Sequence, residues 1–133
     1  MKEVAKLILR DQNGLYLLLY RNDHPAFGQD PDLPGGTIEE GEDPIKALIR
    51  EVKEEIGITL NSKSIKKLHE SNEYDKGNIY YLYEAMHKET PVITISWEHS
   101  RYSWLSLSDF AAITNTAIDR YMHMVHDYLA QKQ

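Results

Sequence analysis

Short apolar runs rich in β-branched and aromatic residues recur along the chain, separated by turn-forming residues. Such runs predict β-strands. The Asn13-Gly14 pair favours a tight hairpin turn between the first two runs, and Gly77 lies in the turn of a second predicted hairpin. The predicted strands are residues 3–10, 15–20, 37–38, 65–73, 78–86 and 102–107, and residues 92–96 are apolar and β-prone but short.

Residues 44–56 show the periodicity of an amphipathic helix. Asp43 can cap its start, Pro44 suits the first helical position, and Gly57 can end it. The apolar positions recur at intervals of three and four residues, as one buried helix face requires. They are Ile45, Leu48, Ile49, Val52 and Ile56.

Two further helices are predicted after the last strand. Ser108 can cap a short helix that runs to Ala112, and Thr116 can cap the final one. The apolar face of the final helix consists of Ile118, Tyr121, Met122, Val125 and Leu129. Because strands and helices alternate without repeat or linker, residues 1–133 are predicted to form one α/β domain, a mixed β-sheet covered by helices.

The helix at 44–56 lies in a strongly acidic segment, with six glutamates and an aspartate between residues 36 and 58. At about 100° per residue, Glu51, Glu54 and Glu55 share one sector of this helix. The usual explanation of such a run is a solvated acidic face. Three carboxylates without cationic neighbours on the same sector also suit a hard divalent cation, Mg²⁺ or Mn²⁺, because such ions prefer oxygen ligands.

The same segment resembles the Nudix box, G-x5-E-x7-R-E-U-x-E-E-x-G-U, in which U is an aliphatic residue. Nine specified positions at fixed spacing form a far more specific signal than a lone glycine loop. The chain therefore resembles a MutT-like Nudix hydrolase, which implies a mixed β-sheet in an α/β/α sandwich, with the box at 36–58. The matching residues are Gly36, Glu42, Arg50, Glu51, Val52, Glu54, Glu55, Gly57 and Ile58.

The resemblance implies a hydrolase that uses Mg²⁺, or alternatively Mn²⁺, to split nucleoside diphosphates linked to a further group X. It implies that Glu54 and Glu55 bind the metal directly, together with a backbone carbonyl of Gly36 or its neighbour Gly35. Glu51 would bind metal or deprotonate the attacking water, a role that varies within the family.

Three other residues receive supporting or catalytic roles from the resemblance. Arg50 would orient Glu51, with Glu42 as a supporting carboxylate; a salt bridge that only holds the loop to the helix is the alternative. Glu98 precedes Trp104 by six residues, as in MutT-like members, so it is expected to be a further metal ligand or the general base. An ordinary loop glutamate is the alternative.

Residues outside the box bear on the substrate. Tyr74 stands sixteen residues after Ile58, within the window seen in dinucleoside polyphosphate hydrolases. Asn115 lies roughly where MutT-like enzymes read a purine, although it also suits a helix flank. Arg21 and Phe27 lie in or beside a Pro/Asp/Gly-rich loop and could contact phosphate or base.

Chain length and the Glu98–Trp104 spacing favour a (d)NTP pyrophosphohydrolase that releases a nucleoside monophosphate and pyrophosphate. The alternatives are an Ap4A-type dinucleoside polyphosphate hydrolase and a non-catalytic Nudix nucleotide sensor. A sensor would be expected to have lost box glutamates, whereas this sequence retains all of them.

Composition narrows the expected partners. The net charge of −6 disfavours polymeric nucleic acid, because such binding depends on cationic neutralisation of phosphates. The absence of cysteine excludes a thiol nucleophile and cysteine-ligated metal sites. The first twelve residues resemble neither a signal peptide nor a membrane span, so the default expectation is a cytoplasmic protein without a membrane partner. The resemblance also allows a homodimer.

Overall fold

The computed structural model describes residues 1–132, and its elements follow the predicted order closely. The strands are β1 (Glu3–Asp11), β2 (Tyr16–Arg21), β3 (Pro31–Asp32), β4 (Gly35–Thr37), β5 (Lys66–Ser71), β6 (Ile79–His87) and β7 (His99–Leu105). The α-helices are α1 (Pro44–Ile56), α2 (Leu107–Thr114) and α3 (Arg120–Gln131), and Ser62–Ser64 form one turn of 3₁₀-helix.

Strand β1 lies at the centre of a mixed sheet. It pairs in parallel with β6 over its whole length, from Glu3 opposite Ile79 to Asp11 opposite His87. It pairs antiparallel with β2 and β4, and β7 extends the sheet by pairing with β2. The strand order is β3-β2-β1-β6-β5, with β4 beside β1 and β7 beside β2. This arrangement confirms the predicted mixed sheet.

Helices cover both faces of the sheet, because the strands are apolar on both sides. Leu7 and Leu9 of β1 pack into one cluster with the apolar face of α1, while Ile8 packs into a second cluster with α2 and α3. Such alternation is the geometric consequence of the two-residue period of a strand. The predicted α/β/α sandwich is thus confirmed, and α1 is pressed against the sheet in a fixed orientation.

Helix α1 begins and ends where the sequence predicts. The Asp43 carboxylate accepts from the backbone N–H of Lys46 at 3.2 Å, and Gly57 ends the helix with a φ of 77°. Leu48, Val52 and Ile56 are fully buried. Because both ends and the buried face are fixed, the opposite positions of this helix have defined directions.

Other predicted boundaries are wrong. Helix α2 is capped by Ser106 rather than Ser108. Helix α3 is capped by Asp119 rather than Thr116, because the Asp119 backbone N–H is itself held by the carboxylate of Asp30. Ile118 therefore precedes the helix and is 63% exposed, not part of its apolar face.

The strand predictions also need three corrections. Strands β3 and β4 begin at Pro31 and Gly35, between the predicted strands at 15–20 and 37–38. Strand β7 begins at residue 99, three residues before the predicted start. Residues 92–96 form no strand, although Ile93 is buried against the α1 cluster. Among residues 1–132, no helix has the length and apolar character needed to cross a membrane.

Candidate active site

A cleft of about 520 Å³ opens beside α1, where several separate segments meet. One wall carries the carboxylates of Glu51, Glu54, Glu55 and Glu98, next to the glycines of β4. The remaining lining comes from the strands and from the loop after β2. These residues are Lys2, Val4, Lys6, Arg21, His24, Phe27, Asp32, Gly35, Gly36, Thr37, Asp75, Tyr80, Asp119 and Tyr121. The three helix carboxylates predicted to share a sector therefore face one cavity, and Glu98 joins them from the turn just before β7.

Glu55 is the buried member of the carboxylate group, with 5% exposure. Its Oε1 accepts from the backbone N–H of Gly35 at 2.7 Å. Burial raises the pKa of Glu55 to about 8, and the nearby Lys6 ammonium only partly opposes this effect. A cation placed beside Glu55 would therefore strongly stabilise the ionised form of this carboxyl group.

Glu51 is held from one side by Arg50. The Arg50 Nη1 donates to Glu51 Oε1 at 2.9 Å, while Nε and Nη2 donate to the two oxygens of Glu42 at 3.0 and 2.9 Å. This fork lowers the pKa of Glu42 to about 2, chiefly through the hydrogen bond. The salt bridge and the orienting contact expected for Arg50 thus occur together, since one guanidinium makes both.

Glu54 and Glu98 are exposed within the cleft. Their charges reach Glu51, whose pKa is raised mainly by burial and further by these two neighbours, against the lowering effect of Arg50. The expectation that these carboxylates lack cationic neighbours is wrong, because Arg50 Nη1 lies 2.9 Å from Glu51 Oε1 and 3.7 Å from Glu54 Oε1. One guanidinium shared with Glu42 leaves the wall with a net negative charge and mutual repulsion among its carboxylates. The electrostatics of this wall therefore favour a bound cation.

The two glycines of β4 allow backbone and carboxylates to approach closely. A Cβ on Gly36 would lie 2.5 Å from Cδ and Oε2 of Glu51. A Cβ on Gly35 would lie 2.0 Å from the backbone oxygen of Ala5, and the φ of Gly35 is 132°, a value that favours glycine. The glycines of β4 therefore present bare backbone to the acidic wall of the cleft.

The donor set fits a hard divalent cation that is shared with a ligand. Within residues 1–132, no three acidic or histidine side chains form a group that could hold a metal ion alone. Mg²⁺ commonly binds through one or two carboxylates, waters and substrate phosphates rather than a complete protein cage. Several carboxylates on one wall of an open cleft match that mode. The available oxygens belong to Glu54, Glu55, Glu51, Glu98 and the Gly36 carbonyl.

The predicted substrate contacts divide into two groups. Arg21 and Phe27 line the cleft, and the Arg21 guanidinium carbon lies 4.7 Å from the Phe27 ring centroid. Tyr74 and Asn115 do not line it in the described part of the chain. The Tyr74 hydroxyl donates to Asp127 at 2.6 Å, and Asn115 caps the C-terminal end of α2.

The sequence reasoning missed a buried charged network at the base of the cleft. Asp32 is 4% exposed and accepts from Lys6 Nζ at 3.1 Å, from His99 Nε2 at 3.0 Å and from the Tyr121 hydroxyl. Burial alone would raise the pKa of Asp32, but Lys6, His99 and Arg21 together hold it well below its usual range. The one available signal was Lys6, a charged residue inside an otherwise apolar strand run.

Comparisons with known proteins agree with this geometry. The NUDIX domain model matches residues 2–124. Over 62 residues, which are 46% of this chain and 46% of the relative, the sequence is 43% identical to the 8-oxo-dGTP diphosphatase of Haemophilus influenzae. The fold is similar to the MutT protein of Methanosarcina mazei Go1, with a TM-score of 0.79 and 23% identity over 99% of this chain and 95% of that one.

A further similar structure is a Caenorhabditis elegans Ap4A hydrolase, with a TM-score of 0.66 and 22% identity over 96% of this chain and 93% of that one. These two structural likenesses show the fold alone, and the sequence match spans about half the length of the H. influenzae relative. The NUDIX match covers most of the chain, which therefore belongs to the Nudix family.

Proposed function

We propose that the protein is a divalent-metal-dependent nucleotide pyrophosphohydrolase that converts a (d)NTP to a nucleoside monophosphate and pyrophosphate. The observation that carries this proposal is the convergence of Glu51, Glu54, Glu55 and Glu98 on one wall of a single cleft. The name of the H. influenzae relative, 8-oxo-dGTP diphosphatase, supports a nucleoside triphosphate as substrate.

Mg²⁺, or Mn²⁺ in its place, would neutralise charge on the phosphoryl oxygens and so lower the barrier to attack by water. Glu54, Glu55 and Gly36 would hold the ion. In the reaction, an oxygen–phosphorus bond forms with water, and the bond to the leaving pyrophosphate oxygen breaks. A carboxylate must accept the proton of the attacking water.

The geometry favours Glu98 over Glu51 for this proton transfer. Oε1 of Glu51 already accepts a hydrogen bond from Arg50, which turns this carboxylate toward the helix side of the wall, although burial raises its pKa. Glu98 is exposed in the cleft on a separate segment, where its carboxylate can approach the water. We therefore assign Glu98 as the general base and Glu51 as a metal ligand oriented by Arg50 and, through it, Glu42.

The opposite side of the cleft suits the rest of a nucleotide. A volume of about 520 Å³ lies within the range of small-molecule sites, about 300–1,000 Å³. Phe27 offers an aromatic face for the base, while the Arg21 guanidinium already pairs with Asp119 at 2.7 Å and so contributes positive charge to the cleft from a paired position. Tyr74 lies outside the cleft, so the feature that favoured a dinucleoside polyphosphate does not support that alternative here.

The proposal extends to partners and location. The expected ligand is a small nucleotide, with no polymeric nucleic acid or membrane, and a cytoplasmic location would supply both nucleotides and Mg²⁺. A homodimer is proposed only from the family resemblance. Light scattering of the purified protein would measure its mass directly.

The test is a substrate panel with Mg²⁺: standard and oxidised (d)NTPs, Ap4A-type dinucleoside polyphosphates and nucleotide sugars, with both phosphate and pyrophosphate quantified. We expect equal amounts of nucleoside monophosphate and pyrophosphate from a (d)NTP, and no turnover with excess EDTA. Preferential cleavage of a dinucleoside polyphosphate would establish the alternative hydrolase. Nucleotide binding without turnover of any substrate would indicate the sensor and refute the proposal.

A further inference from the structure

The backbone around Glu98 is fixed on both sides by residues outside the Nudix box. On one side, Asn22 donates its backbone N–H to the Glu98 carbonyl at 2.9 Å and its Nδ2 to the Trp97 carbonyl at 3.0 Å. On the other side, His99 Nε2 lies 3.0 Å from Asp32 Oδ2. The segment that carries Glu98 is therefore attached to β2 and to β3 at once.

A bulge at the start of β7 turns His99 inward. Arg101 pairs with Tyr20 and His99 pairs with Arg21, so Ser100 is the extra residue on this strand. Bulges re-aim side chains and are common beside active sites. As a result His99 is 4% exposed while Ser100 beside it is exposed, and the imidazole points at Asp32 rather than at solvent.

Asp32 is a rigid anchor for this contact. Its carboxylate also accepts from Lys6, from the Tyr121 hydroxyl and from the Leu33 backbone N–H at 2.9 Å. Lys6 in turn donates to the Leu33 carbonyl at 3.1 Å and lies 3.4 Å from the Gly35 carbonyl. The Asp32 carboxylate thus connects two parts of the cleft. Through Lys6 it reaches the glycines of β4, and through His99 it reaches the segment that carries Glu98.

We propose that Asn22, Asp32 and His99, together called the Glu98 brace, are positioning residues that hold Glu98 at a fixed distance from the helix carboxylates. This inference rests on the proposed hydrolase function and adds to it the residues that place the general base. None of the three acts on the substrate in this scheme. Their effect arises because a catalytic group displaced by about 1 Å can lose about a hundredfold in rate.

A positioning role for the Glu98 brace predicts a result that a general structural role does not. Since it acts through Glu98, breaking it should slow the reaction only while Glu98 is present. His99→Leu removes the hydrogen bond to Asp32, whereas His99→Gln keeps an amide N–H in nearly the same position. A comparison of the two variants therefore distinguishes the effect of the hydrogen bond to Asp32 from the effect of changing the packed side chain.

The test is a double-mutant cycle of His99→Leu and Glu98→Gln, measured under single-turnover conditions with Mg²⁺ and the best nucleotide of the panel. In the Glu98 background, His99→Leu should lower the maximal single-turnover rate constant by about 10- to 100-fold with little change in the half-saturating concentration, and His99→Gln should restore most of the rate. In the Glu98→Gln background, His99→Leu should change the rate by less than about threefold.

Equal losses in both backgrounds, an unaffected His99→Leu enzyme, or a Glu98→Gln enzyme as fast as wild type would each overturn the proposal. If His99→Leu does not fold, Asn22→Ala replaces it in the cycle, because Asn22 is exposed and its truncation leaves the backbone bond to Glu98 in place. The same outcomes then support or overturn the proposal, and Asn22→Ala is expected to lower the rate by about three- to tenfold in the Glu98 background.

A readout independent of activity separates failure of the brace from failure of the proposed function. Amide hydrogen exchange of Asn22 reports its bond to the Glu98 carbonyl in the metal-free protein. His99→Leu should accelerate this exchange by about tenfold or more, and His99→Gln should not. If the wild type hydrolyses no nucleotide but the exchange changes as expected, the brace stands and the function is wrong. Unchanged exchange in His99→Leu would refute the brace itself.

Discussion

The backbone N–H of Gly35 donates to Oε1 of Glu55 at 2.7 Å, and this bond joins β4 to the carboxylates of α1. Glu55 is buried, so the bond is shielded from water and its geometry is fixed by α1 and β4 together. The pair places a carboxyl group of raised pKa beside the glycines of β4, where we propose that a divalent ion is held.

The first prediction concerns stability and pH. Folding raises the pKa of Glu55 from 4.5 to about 8, so the protonated carboxyl stabilises the folded protein relative to the ionised one. This stabilisation is complete below the unfolded-state pKa and is lost as pH rises through the folded-state pKa. In EDTA, the wild-type free energy of unfolding should therefore fall relative to that of Glu55→Gln between about pH 4.5 and 8 and level off above pH 8. Urea unfolding at several pH values measures this difference. A difference independent of pH would contradict the assignment.

The second prediction contrasts the two glycines. Gly36→Ala brings its Cβ against the side chain of Glu51, which can move, so the protein should fold while kcat falls by about tenfold or more. Gly35→Ala meets the backbone of Ala5 at a positive φ and should lower the free energy of unfolding by about 3 kcal/mol or more. Thermal unfolding and kinetics of both variants check this. Similar stability of the two variants would refute it.

The third prediction concerns the shape of the Arg50 side chain. A lysine carries the same charge but cannot make the three donations to Glu42 and Glu51 at once. Arg50→Lys should therefore lower kcat by about 10- to 100-fold, while Lys53→Arg, an exchange at an exposed position of the same helix, should leave it nearly unchanged. Steady-state kinetics of the pair measures the contrast. Full activity of Arg50→Lys would show that charge alone suffices there.

The parts of the fold that the sequence predicts correctly depend on local physics. Helix α1 is predicted to the residue because Asp43, Gly57 and the apolar stripe are all encoded within one short segment. The directions of Glu51, Glu54 and Glu55 follow from helical geometry once that stripe is fixed. The Arg50 contacts with Glu51 and Glu42 were implied by the resemblance to the Nudix box rather than by helical geometry.

The parts that were missed depend on contacts between distant segments. Asp32 and His99 are 67 residues apart, and nothing local indicates that these residues of β3 and β7 meet in a buried network. Helix α3 begins later than a Thr116 cap predicts, because Asp30, from a distant loop, holds the backbone of Ile118 and Asp119. Ser106, Ser108, Thr116 and Asp119 are all acceptable caps by sequence, so only tertiary structure selects among them.

The most direct test of the proposed activity compares Glu54→Gln with Glu73→Gln, an exposed carboxylate outside the cleft, in Mg²⁺-dependent release of pyrophosphate from a (d)NTP. We predict that Glu54→Gln folds like wild type, by circular dichroism and melting temperature, and loses about a hundredfold or more of the Mg²⁺-dependent rate. Glu73→Gln should retain full activity. A folded Glu54→Gln enzyme that hydrolyses the nucleotide as fast as wild type would contradict the central claim that the α1 carboxylates hold the catalytic metal.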